Sequence, residues 1–232
     1  MSRIVFRRSV FAAFLLAALS GCDSESSSFP LLRDPPAGSR PIGPRCESSD
    51  PQRFCVSLRY VVYQEPSQPA VVDEAQALGN LEIINSVWSQ CGIAFQVDEY
   101  FEAEASRYSL RHRPAEYREL GDIRRVFGIE SSFVVVTTGP WDRTGSLGST
   151  GANAWTTMPG GDGPWGAILE KRVGSYSIIF AHELGHYLNL SHVSDSGDVM
   201  NPVIYSTSTK LEASQCDTAR AAVTRFWQQA LR

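Results

Sequence analysis

The chain carries no excess of positive charge. Its 21 Lys and Arg are outnumbered by 25 Asp and Glu, giving a formal net charge of -4. A protein that holds a nucleic-acid polyanion on a basic surface is excluded on that ground. Long apolar runs are also missing: the longest, at residues 10–19, is too short to cross a bilayer comfortably. There is no CxxC pair, which removes the commonest structural zinc site. No internal repeat marks a solenoid. Methionine and histidine are scarce, with three Met and four His. Three of those histidines, His182, His186 and His192, fall in one short stretch. What is present is globular: 232 residues, 43% hydrophobic and 20% charged, suit one domain with or without a tail.

The N-terminus reads as an address. Arg3, Arg7 and Arg8 precede the short apolar stretch, which ends in Leu19, Ser20, Gly21 and Cys22. This resembles the lipobox of bacterial lipoprotein signal peptides, in which the Cys is lipidated and becomes the mature N-terminus. Residues 1–21 are then a removed signal, and the lipid on Cys22 holds the protein to a membrane surface. Residues 22–54, rich in Ser, Pro, Gly and Arg, read as a flexible tether, and residues 55–232 as the folded domain. Export places the remaining cysteines in an oxidising compartment. Four Cys allow three connectivities. The pairing favoured is Cys46 with Cys55, closing a short loop, and Cys91 with Cys216, joining an early helix to a C-terminal one.

Residues 56–63 are apolar and β-branched and read as a strand. Apolar residues at helical spacing predict a helix over 70–91, ended by Gly92. Further strands are expected at 93–97, 132–138 and 166–170, with an edge strand near 150–157 inside a Gly-, Ser- and Thr-rich loop. Helices are expected at 114–127, 175–189 and 211–231. Strands and helices mixed in this order predict an α+β or α/β class, a twisted sheet flanked by helices.

Residues 182–192 read HELGHYLNLSH. His182 and His186 are four apart, so a helix puts both imidazoles on one face within reach of one ion. Glu183 is rotated toward the space beside that ion, where it can hold a water. Asn189 tolerates left-handed backbone angles and can end the helix, letting His192 swing back as a third ligand. Three neutral imidazoles and one water make an open tetrahedral zinc site of the catalytic type.

This stretch resembles the zinc-binding signature of the metzincin metalloendopeptidases, HExxH followed by a Gly or Asn and a third His. The family's methionine turn is matched by Met200, between Val199 and Asn201. The resemblance covers residues 56–232 and implies a metzincin-like fold, a single catalytic zinc, a peptide substrate and Glu183 as general base. It further implies that substrate lies along an edge strand, here 149–157, and that residues 202–205 wall the pocket, with Tyr205 open either to support an oxyanion or to pack. Residues 160–163 together with Asp142 are weighed as a calcium loop, with a flexible Gly turn favoured. His112 is expected to be a surface or capping residue. Residues 44–50 resemble the cysteine switch of matrix metalloproteinase propeptides, and a disulfide from Cys46 to Cys55 explains the same cysteine more simply. The expected protein is a monomeric zinc endopeptidase tethered to a bacterial membrane. The rival expectation is a non-catalytic zinc-containing lipoprotein acting as a binding module.

Overall fold

The computed structural model describes residues 35–46, 50, 52–161 and 163–232. The expected signal segment, Cys22 and the first part of the expected tether lie outside the described residues. One six-stranded sheet runs through the molecule. Its strands are β1 (Arg40–Ile42), β2 (Phe54–Gln64), β3 (Ile93–Glu104), β4 (Phe133–Thr138), β5 (Ala154–Thr156) and β6 (Ala167–Glu170), in the order β1-β3-β2-β4-β6-β5. The four central strands are parallel, and the two edge strands, β1 and β5, run antiparallel to their neighbours. This is the mixed α+β sheet that the sequence predicts.

Strand alternation sorts side chains onto two faces. Val56, Leu58, Tyr60 and Val62 of β2 join Phe133 and Val135 of β4 in the larger core. Val61 and Tyr63 join Val134 and Val136 in the smaller one. Helices α1 (Glu74–Trp88), α4 (Ser177–Tyr187) and α5 (Ala213–Phe226) contribute to the larger core. Helix α2 (Tyr117–Phe127) covers the other face through Leu120, Ile123, Val126 and Phe127.

Helix α1 begins later than expected. Asp73 accepts from the Gln76 amide at 2.8 Å, and the Gln76 side chain accepts from the Asp73 amide at 3.0 Å, a reciprocal cap. It buries Leu81, Ile84 and Trp88, each such side chain contributing about 1.5–3 kcal/mol of transfer free energy. Gly92, at φ 63°, turns the chain into β3. That strand is twelve residues long, not five. Its register slips between Leu58 and Arg59 of β2, which leaves Asp98 as an extra residue. The inward phase thus passes from Ile93, Phe95 and Val97 to Tyr100, so the alternation in the sequence ends early.

The expected tether over 22–54 needs correction at its end. Residues 40–42 form β1 on the edge of β3, with Ile42 buried. Gly43 runs so close to α1 that a Cβ there would meet Leu78 at 2.8 Å. The disulfides are Cys46–Cys55, with Cα atoms 5.8 Å apart, and Cys91–Cys216, at 4.7 Å. Both match the pairing favoured from sequence. Cys46 is therefore committed to Cys55 of the central strand β2, which leaves no free thiol there for a cysteine switch. Among the described residues no helix is long and apolar enough to cross a membrane.

Candidate active site

Helix α4 carries the HExxH stretch because its other face is apolar: Phe180, Ala181 and Leu184 are buried against the larger core. The Trp88 indole of α1 donates to the Ala181 carbonyl at 3.2 Å, which fixes the helix axially. The helix stops where Asn189 adopts φ 65°, as the sequence predicts. The chain then doubles back and brings His192 to the other two histidines.

The three imidazoles converge through one nitrogen each. His192 Nε2 lies 3.1 Å from His186 Nε2 and 3.2 Å from His182 Nε2. His182 Nδ1 lies 2.6 Å from the Val199 carbonyl, and His186 Nδ1 2.8 Å from the Leu190 carbonyl. A carbonyl can only accept, so both Nδ1 atoms carry the proton and both Nε2 atoms present bare lone pairs. Lone pairs so close together repel unless a cation lies between them. Zinc–imidazole bonds of about 2.0–2.1 Å in a tetrahedron separate neighbouring nitrogens by about 3.3–3.4 Å, close to the spacing here. The donor set thus fits a zinc ion. Among the described residues these three form the one group of His, Cys, Asp or Glu side chains able to gather a metal. Burial, with the neighbouring His186 next, lowers the His182 pKa to about 4, and burial lowers that of His186. Both are held neutral, the form that ligates.

Glu183 is buried beside the cluster. Burial pushes its carboxyl up to about 7, against the opposing effects of a hydrogen bond from Thr156 and the nearby Arg124 charge. Beneath the histidines lies a turn holding Met200, which is fully buried. Its sulfur passes so near α4 that a Cβ on Gly185 would come within 2.2 Å. A glycine in the middle of a helix costs about 1 kcal/mol, and this close approach is what requires it. The Asp198 carboxylate holds the turn, accepting from the Met200 amide at 2.7 Å and from Gln215 of α5 at 3.1 Å.

The cluster opens into a cleft of about 550 Å³, lined by residues 151–156, Met158, Ile179, the three histidines, Glu183 and residues 202–204. The edge strand β5 forms one wall, shorter than the 149–157 expected. Residues 146–150 instead form a helical turn, α3 (Ser146–Thr150), in which the Ser149 and Thr150 hydroxyls bond back to the Ser146 and Leu147 carbonyls. Arg143 braces the lead-in, donating to the Ala152 carbonyl and the Asn153 side chain, both at 2.8 Å, and pairing with Glu170.

Three residues weighed from the sequence lie away from the cluster, as expected for His112. Tyr205 is 53% exposed and outside the lining, so the wall is formed by Pro202, Val203 and Ile204. His112 packs beside Tyr63 on the other face, away from the cluster. Asp142 accepts from Thr144 through both its amide and hydroxyl, and Arg111 is 3.8 Å away. Asp162 lies outside the described residues. Sequence reasoning missed Thr156, Arg124, Gly185, Asp198 and Gln215. Two of these left a signal: a Gly inside a helix that must be tightly packed, and an Arg on the apolar stripe of α2.

The matrixin peptidase family matches residues 67–224, more than half of the chain. No curated protein matches it by sequence. Metalloproteinase-II from Bacteroides fragilis superposes with a TM-score of 0.52 at 15% identity, over 79% of this chain and 57% of that one. The chain therefore spans little more than half the length of that relative. Archaemetzincin from Methanopyrus kandleri superposes with a TM-score of 0.52 at 16% identity, over 79% of this chain and 100% of that one. At these identities the likeness is one of fold, and it is the zincin-like fold that the HExxH stretch predicts. Family match, fold and histidine geometry agree: the chain belongs to the matrixins, a metzincin family of zinc metallopeptidases.

Proposed function

We propose that the protein is a zinc-dependent endopeptidase in which His182, His186 and His192 hold the metal and Glu183 is the general base. The observation that carries this reading is the convergence of three imidazole nitrogens and one buried carboxylate on a single cleft beside an edge strand. Bound zinc supplies a Lewis acid that polarises a carbonyl and acidifies a coordinated water. The Val199 and Leu190 carbonyls fix the tautomers of His182 and His186, so these ligands are oriented before metal arrives. Glu183 accepts a proton from the attacking water and delivers it to the leaving amine. Burial raises the pKa of this carboxyl, and the positive charge of a bound zinc would oppose that rise. No covalent intermediate is needed. Among the described residues strand β5 has one neighbour, β6, so an extended peptide can pair with its other edge. Residues 202–204 then face the side chain after the cleaved bond.

The test is cleavage of a broad peptide library by the full-length protein, with and without a chelator. Cleavage that stops with chelator and returns with zinc is expected. A zinc-loaded protein that cleaves no peptide overturns the reading and favours a binding module.

We propose further that residues 1–21 direct export and that Cys22 carries the lipid, on the strength of the lipobox-like segment. Mass spectrometry of the mature N-terminus should find acyl chains on Cys22. An unmodified N-terminus elsewhere refutes the tether.

A further inference from the structure

We propose that Thr156, on the substrate-side strand β5, is a positioning residue that aims the Glu183 carboxylate. The proposal rests on the general-base reading of Glu183. Strand β5 alternates like any other: Ala154 and Thr156 turn toward α4, while Trp155 turns to the opposite face, where its ring meets Tyr117 at 4.8 Å. Thr156 is buried, and its hydroxyl donates to Glu183 Oε2. Oε1 has no hydrogen bond among the described residues, and Glu183 lines the cleft. One carboxylate oxygen is thus occupied by the strand, and the other is left for the proton being moved.

The direction of that hydroxyl is set by backbone. Threonine is β-branched and stiff at χ1, so its oxygen follows the strand that carries it. That strand is held from behind. Arg124 of α2 donates to the Trp155 carbonyl at 2.6 Å and to the Gly166 carbonyl at 2.8 Å. It passes where Gly166 has no side chain: a Cβ there would come within 2.9 Å of Arg124 Cγ. Trp155 also pairs with Ile168 in β6. The physical sequence is Arg124 to the Trp155 carbonyl, Trp155 to Thr156, and Thr156 to Glu183. The base is therefore aimed by the strand along which substrate is proposed to lie, and not by its own helix alone. A side chain that only filled space here would be as well served by valine, which has the same shape and no hydroxyl.

The experiment compares full-length wild type with Thr156→Val, Thr156→Ser, Glu183→Gln and the Thr156→Val/Glu183→Gln double variant. Each is measured for kcat, KM, zinc content and thermal stability. Thr156→Val should lower kcat by about ten- to a hundredfold, the value of one hydrogen bond to a charged group. KM and zinc content should stay near wild type. Thr156→Ser should recover most of the loss. In the Glu183→Gln background, Thr156→Val should add nothing, because the group it aims has gone. The proposal is overturned if Thr156→Val keeps wild-type kcat, or if its effect persists at full size in the Glu183→Gln background. If Thr156→Val does not fold, Thr156→Ala against Thr156→Ser carries the same contrast. A Glu183→Gln variant that cleaves at the wild-type rate instead overturns the general-base reading, an outcome visible before Thr156 is considered.

Discussion

The two halves of the sheet are built for opposite purposes. On the side of the sheet formed by β1, β3 and β2 the chain is tied down. Asp98, the extra residue of β3, gathers Ser57 at 2.6 Å, Gln96 at 2.5 Å, Arg232 at 2.6 Å, and Arg45. The Cys46–Cys55 disulfide lies beside it, and the Arg232 amide bonds to the Cys55 carbonyl at 2.9 Å. At the β5 edge the strand is three residues long, lines the cleft and is braced from behind by Arg124 and Arg143. An exposed edge invites unwanted pairing, and shortness limits that risk. The difference teaches where stability was placed: the brace sits behind β5, so that the edge on which substrate is proposed to lie stays available.

The largest effect that sharpens this contrast is loss of metal at the open edge. His192→Ala removes the ligand delivered by the loop after Asn189. It should weaken zinc binding by more than the roughly 10–100-fold that loss of an outer-shell partner costs, and activity with it. The fold should survive, because His192 is exposed. Competition with a chelator of known affinity reads the first, and thermal unfolding of the metal-free protein reads the second. An unchanged zinc affinity breaks the assignment of the open edge.

The two disulfides separate the regions more gently. Cys91–Cys216 spans 125 residues and joins the end of α1 to α5, next to the Gln215 that supports Asp198 and the methionine turn. Cys46–Cys55 spans 9 residues on the tied-down side. On loop entropy, removing the first costs about 4.9 kcal/mol and the second about 2.7 kcal/mol. Serine pairs at each position, followed by denaturant unfolding, should give that ranking. The Cys46/Cys55 variant should keep wild-type kcat at temperatures where it is folded. A loss of kcat there would mean that the tied-down side also shapes the site.

Much of the site was legible because its chemistry is local. His182, Glu183 and His186 share one helix, Asn189 announces the turn and His192 follows within three residues. The central strands β2, β4 and β6 were also readable, being short apolar runs between breakers. What the sequence hid depends on partners distant in the chain. β1 is three residues in a Pro- and Arg-rich segment and exists because β3 and α1 offer Ile42 a place. The second half of β3 was obscured by the bulge at Asp98, which reverses the alternation. Thr156 lies in a loop full of Ser, Thr and Gly, and nothing local marks the one hydroxyl that reaches Glu183 across 27 positions.

The central claim is that Glu183 moves the proton, and Glu183→Gln tests it most directly. Gln has nearly the same size and can still receive the Thr156 hydroxyl, so the full-length variant should bind zinc as wild type does and unfold at a similar temperature. Its kcat should fall by roughly 10²–10⁴-fold, the usual value of a general base. A zinc-loaded Glu183→Gln protein that cleaves peptides at a rate near wild type would contradict the account.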